Sequence, residues 1–119
     1  MTLLDVSAPP RAGLPAAAAG TRRMYAIAFD LVVEELRNHY SPASPQNAYG
    51  EVRDILEQQG FGWRQGSVYF GDPAKVDAVV CVLTAQRLAA ELPWFTRCVR
   101  DIRMLRIEEN NDLGPALNS

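Results

Sequence analysis

One histidine, one lysine and two cysteines are all that the 119-residue sequence holds of those three types. No apolar run approaches the ~20 residues that a membrane-spanning helix needs. Each shortage narrows the field. Cys81 and Cys98 have no second pair and no histidine at metal-ligand spacing, which argues against a zinc site and leaves buried, reduced thiols as the plain reading. The net charge of −2 does not suit a protein that coats nucleic acid by bulk attraction, although it leaves room for a local basic patch. The opening segment lacks a basic start and a long apolar stretch, so Leu14-Pro15-Ala16-Ala17-Ala18-Ala19 is a poor secretory signal. No membrane association and a cytoplasmic location are expected.

What is present describes an ordinary globular chain, 48% hydrophobic and 22% charged, of a length that suits one domain. Eleven of the twelve basic residues are arginine, the side chain that grips phosphate in bidentate fashion, although a GC-rich genome produces the same bias. Residues 1–23 are rich in Ala, Pro and Gly without periodicity and read as a flexible tail, with Met24 a candidate alternative start. Residues 24–113 form the expected domain, and residues 114–119 a second loose tail.

Within the domain, Tyr25-Ala26-Ile27-Ala28-Phe29-Asp30 is a short apolar run of strand length. Leu31 to Tyr40 carries a weak helical stripe. Ser44-Pro45 is a helix start signal, and Ala48, Val52, Ile55 and Leu56 then fall on one helical face before Gly60. Phe61 to Gln65 and Gly66 to Phe70 read as two strands meeting in a tight turn at Gly66. Asp72-Pro73 repeats the cap-plus-proline pattern ahead of Val76, Val79, Val80 and Leu83, and Pro93 ends that helix. A short helical turn through Trp94 and Phe95 follows. Asp101 to Ile107 fits either a helix or a strand; a strand completes a βαββαβ order, the ferredoxin-like sandwich with a four-stranded antiparallel sheet in order 4-1-3-2 and helices on one face.

In that topology the end of the first strand lies beside the beginnings of the third and fourth, which gathers Asp30, Ser67 and Asp101 at one rim of the sheet. Two carboxylates near a hydroxyl suit a divalent cation such as Mg2+, held by Asp30 and Asp101, or an activated nucleophile for phosphodiester cleavage. Plainer readings stand beside this one. Asp30 precedes a helix and could cap it, Ser67 beside Gly66 suits a turn, and Asp101 between Arg100 and Arg103 suits a surface ion pair. His39, near a helix C-terminus, reads as a solvated residue rather than a general base.

The strings Met24-Tyr25-Ala26-Ile27-Ala28-Phe29-Asp30, Ala48-Tyr49, Gly60-Phe61, Trp63, Gln65-Gly66-Ser67-Val68-Tyr69, Trp94-Phe95 and Val99-Arg100-Asp101-Ile102-Arg103 resemble the virulence-associated protein D (VapD) family, in order from Met24 to about Glu108. The resemblance implies a ferredoxin-like homodimer related in fold to the small CRISPR-associated nucleases of spacer acquisition, with endoribonuclease activity and toxin-like behaviour. It also implies a catalytic site at Asp30, Ser67 and Asp101. The long segment before Met24 and the short connection from Phe70 to Asp72 depart from the family pattern. The expected function is therefore an endoribonuclease, the toxin of a toxin–antitoxin system or a virulence-associated ribonuclease, with RNA as substrate and an antitoxin protein as a further partner. Arg64, Arg100 and Arg103 are expected to neutralise phosphate charge. The alternatives are a non-catalytic dimer that binds RNA or antitoxin, and a structural dimer in which Phe29, Trp63 and Tyr69 serve only packing.

Overall fold

A computed structural model of the chain describes residues 23–118; the tail expected over residues 1–23 lies outside them apart from Arg23. Strand β1 (Met24–Leu31) is followed by helices α1 (Val33–His39) and α2 (Asn47–Gln58), the hairpin β2 (Phe61–Gln65) and β3 (Val68–Gly71), helices α3 (Ala78–Glu91) and α4 (Phe95–Cys98), and strand β4 (Val99–Ile107). Gly114–Asn118, inside the segment expected to be loose, forms an exposed 3-10 helix. The four strands make one antiparallel sheet in the order β2-β3-β1-β4, which is the ferredoxin-like arrangement expected from the sequence. Among the described residues no helix is long and apolar enough to cross a membrane.

The alternation of β1 explains why the sheet has two unlike faces. Ile27, Phe29 and Leu31 are buried while Asp30 between them is exposed, because successive strand residues point to opposite sides. The buried set packs with Leu36 of α1, Val52 and Leu56 of α2, Leu88 of α3 and Phe95 of α4 in one core. Burying each such side chain stabilises the fold by roughly 1.5–3 kcal/mol before the cost of ordering it. Helix α2 buries Ala48, Val52, Ile55 and Leu56, the face read from the sequence. It begins at Asn47 with no side-chain cap. The nitrogen of Ser44 is instead bound by the Ser41 hydroxyl, so Ser44 shapes the turn before the helix rather than capping it.

Helix α3 differs more from expectation. Asp77, not Asp72, is its cap, with the carboxylate accepting from Val80 N at 2.9 Å. Asp72 closes a turn by accepting from Ala74 N. In the helix Cys81, Thr84 and Leu88 face the core and Val80 of the expected stripe packs against it, whereas Val79 and Leu83 are exposed. Val76, the first residue of the expected stripe, precedes the helix and is buried. Its side chain sits so close to Gly71 that a Cβ there would meet it at 2.7 Å. The buried Thr84 hydroxyl is satisfied by donating to Val80 O at 2.7 Å.

In the hairpin Gly66 has φ of 53°, the left-handed conformation that glycine adopts without steric cost. The indole of Trp63 donates to Gly66 O at 2.8 Å and braces the same turn. Both cysteines are buried and unbonded. Burial raises their thiol pKa values, with a smaller contribution from nearby acid charge.

Candidate active site

Asp30 and Asp101 are direct cross-strand partners on β1 and β4. Two like charges placed opposite one another repel, so the arrangement calls for compensation, and arginines supply it. Arg100 lies 3.6 Å from the Asp30 carboxylate. Arg103 donates to Asp101 at 2.8 Å, two residues along the strand and therefore on the same face. The Arg100, Arg103 and Asp30 side chains are mostly exposed and that of Asp101 is half-exposed. Exposed pairs of this kind hold only weakly, so an incoming phosphate can draw the guanidinium groups off the carboxylates at little cost.

A break in the ladder helps to build this corner. The register shifts between Asp30 and Leu31, which pair with Asp101 and Val99 respectively, leaving Arg100 as the extra residue of a bulge. A bulge re-aims its side chain and tightens the local twist, and here Arg100 reaches the carboxylate of Asp30. A second shift lies in β2, where Trp63 pairs with Tyr69 and Gln65 with Val68, so Arg64 is the unpaired residue. The Arg64 guanidinium lies 5.0 Å from the centre of the Phe70 ring. Two of the three arginines expected to meet phosphate thus stand at bulges, on strands at opposite edges of the sheet.

Ser67 lies alongside the end of β1, since its carbonyl accepts from Phe29 N at 3.1 Å, and it is half-buried in the hairpin turn. The capping role considered for Asp30 does not occur: the residue before α1 is Val32, and no side chain caps that helix. His39 sits in the last turn of α1 and pairs with Glu35 at 3.2 Å, away from the acids.

Of two residues that the sequence reading passed over, Tyr49 of α2 borders this corner on the helix side, and Arg53 of the same helix lies farther off, toward the β2–β3 hairpin. Tyr49 of α2 stacks near Phe29 at 6.3 Å between ring centres, and Phe29 stacks on Tyr69 at 6.0 Å. Burial raises the pKa of the Tyr49 phenol, and the charge of Asp30 raises it further, so the hydroxyl stays a proton donor at neutral pH. Arg53, four residues on and on the same helical face, donates from Nε to the Tyr69 hydroxyl at 3.2 Å. The spacing of 49 and 53 along the margin of the apolar stripe was the available signal. Of the aromatics that one alternative reading assigned to packing alone, Trp63 exposes half of its surface, 50% against 2% for Tyr69 opposite it.

Mg2+ usually keeps several waters and takes one or two carboxylates with substrate phosphates rather than a full protein cage. Asp30 and Asp101, adjacent and open to solvent, fit that sparse mode of binding. Among the described residues no group of three or more His, Cys, Asp or Glu converges as a preformed metal cage, so the pair would suit an ion that arrives with RNA better than a resident one.

The chain is similar in sequence to known proteins. A family model described as CRISPR associated protein Cas2 matches residues 23–113. The chain is 53% identical over 95 residues to Endoribonuclease VapD 2 of Riemerella anatipestifer, covering 80% of this chain and 100% of that one. It is 51% identical over 94 residues to the Endoribonuclease VapD homolog of Helicobacter pylori, covering 79% and 96%. Endoribonuclease VapD of the same organism is 39% identical over 97 residues, covering 81% and 100%.

Proposed function

Because the chain belongs to the VapD family and carries a Cas2-like domain, we propose that it is an endoribonuclease whose centre is the carboxylate pair Asp30 and Asp101. The observation that carries the reading is their pairing across β1 and β4 with an arginine on each. In this reading Arg100 and Arg103 leave the carboxylates for the RNA phosphate, and Arg64 contributes further positive charge along the strand. One of the freed carboxylates accepts a proton from the attacking water as its oxygen bonds to phosphorus, and the bond to the leaving oxygen breaks as that oxygen takes a proton from solvent. Ser67 orients the water or the phosphate. Mg2+ held by Asp30 and Asp101 would supply charge stabilisation to the phosphoryl oxygens and a lowered pKa to a bound water.

The same reading takes the enzyme to be a cytoplasmic homodimer, acting as the toxin of a toxin–antitoxin pair or as a virulence-associated ribonuclease, with an antitoxin protein as its second partner. Support for pairing comes from the sheet face turned away from the core. Leu105 and Phe70 both lie opposite Ala26, and Val68 lies opposite Ala28, so an apolar strip runs beside the acids. Sedimentation at micromolar concentration is expected to give twice the chain mass, and a monomer would count against the dimer.

The direct test incubates purified wild type and Asp30→Asn with labelled RNA, with and without magnesium and with chelator. Cleavage by wild type alone is the expected result. Cleavage at the wild-type rate by the variant would remove Asp30 from the mechanism, and loss of wild-type activity in chelator would assign the metal a part. RNA binding with steep salt dependence and no product would favour a non-catalytic module.

A further inference from the structure

The cleavage centre lies at the charged rim, yet the most exposed aromatic surface of the hairpin is elsewhere and has no part in that chemistry. Trp63 is on the edge strand β2 and exposes half its surface. Its Nε1–H bond to Gly66 O fixes the plane of the indole. The Arg53 guanidinium lies 5.2 Å from the ring centre, on one side of it. Arg53 is itself anchored through Nε to the Tyr69 hydroxyl, which leaves its terminal amino groups available. Among the described residues no carboxylate forms an ion pair with it. A half-exposed tryptophan on a short edge strand thus stands beside an arginine that the charges of Glu57 and Asp54 reach only without an ion-pair contact.

We infer that Trp63 and Arg53 form a subsite for single-stranded RNA, in which one unpaired base stacks on the open face of the indole and Arg53 receives the adjoining phosphate. This inference rests on the ribonuclease reading. Aromatic side chains take any base by stacking, because every base has a π-face, and a neighbouring arginine adds backbone charge recognition. Double-stranded RNA cannot offer a base in this way. Trp63 pairs with Tyr69 and Tyr69 with Ile27, so the indole shares the helix-covered face, whereas Asp30, three residues along β1, points to the other face; by strand spacing and rise the two Cα positions are roughly 14 Å apart, and an RNA strand that reaches both passes over the rim of the sheet. The subsite would therefore hold a base away from the scissile position and select single strands over duplexes.

The test uses the Asp30→Asn protein, so that RNA stays intact, with tryptophan emission and fluorescence anisotropy read together. Trp94 is buried, which leaves Trp63 as the tryptophan open to quenching. A short single-stranded RNA should quench emission on binding, whereas an abasic strand with the same number of phosphates should bind more weakly without quenching. Adding Trp63→Ala should weaken RNA binding about 5- to 150-fold, while leaving the salt dependence unchanged. Trp63→Phe keeps a stacking ring but not the hydrogen bond to the turn, so it should retain most of the affinity and lose the quenching signal. Arg53→Gln should reduce the slope of log affinity against log salt by about 0.7. Binding by anisotropy with unchanged emission and undiminished affinity in Trp63→Ala would overturn the subsite and leave the nuclease reading intact. Equal losses in Trp63→Phe and Trp63→Ala would also overturn it, by assigning the residue to hairpin structure. Absence of both RNA binding here and cleavage by wild type would overturn the two readings together.

Discussion

The two sides of β1 are built from the same eight residues and behave as different materials. On one side Ile27, Phe29 and Leu31 are buried against four helices; on the other Asp30 stands in solvent, opposite an acid and held only by an exposed arginine. The first side is held by apolar area removed from water, where each methylene counts. The second is held by weak, exchangeable pairs, and its corner is opened by a bulge at Arg100. If Asp30 acts as proposed, stability and chemistry fall on alternate positions of a single strand, and each can be altered with little effect on the other.

That separation gives a series of expected outcomes. The largest is Asp30→Asn, which should lower the RNA cleavage rate by at least 100-fold, the low end of what a positioned acid or base contributes. Its melting temperature should stay close to that of wild type, because an exposed carboxylate outside the core is removed; gel-resolved initial rates and thermal melts check the two halves. The mirror experiment is Ile27→Ala. It should destabilise the fold by about 2–5 kcal/mol in denaturant titration, while the fraction that remains folded cleaves RNA normally. A smaller effect is expected for Arg103→Ala. Binding should weaken alike for all sequences, and the salt slope should fall by about 0.7, the share of one phosphate contact on a single strand.

The smallest concerns pH. The pKa of Tyr40 is raised, first by its hydrogen bond to Glu51, then by burial and by the charge of that carboxylate. A raised value means that this contribution to stability is complete below the ordinary tyrosine pKa of about 10 and is lost as pH rises through the higher folded value. Tyr40→Phe should therefore flatten the alkaline decline of the melting temperature while leaving cleavage at neutral pH unaltered. If instead the core substitution abolished cleavage by folded protein, or Asp30→Asn unfolded the chain, the division between the two sides would fail.

Much of the architecture was legible because its signals were local and agreed with one another. The run from Tyr25 to Phe29, the spacing of Ala48, Val52, Ile55 and Leu56, and the turn at Gly66 each had one sensible reading. The fourth strand was legible only through topology, since its arginine spacing also suited a helix. Helix α3 was misplaced because Asp72 and Asp77 both offer a cap, and a local pattern cannot show that Val76 must pack onto the bare backbone of Gly71. At the corner, the approach of Asp30 to Asp101 followed from strand order. The bulge that brings Arg100 to Asp30 did not, because a bulge depends on how two distant segments pair. The exposure of Trp63 was equally hidden. An aromatic residue in an edge strand has the same alternation as one in the core, and only the absence of a covering element distinguishes them.

The central claim is that Asp30 and Asp101 act as one unit across β1 and β4. Initial cleavage rates for Asp30→Asn, Asp101→Asn and the double variant, measured on one single-stranded RNA, test it most directly. Groups that act together lose nearly everything when either is removed, so each single variant should be almost as slow as the double. A double variant slower than either single one by the full product of their separate losses, or a single variant as fast as wild type, would contradict the account.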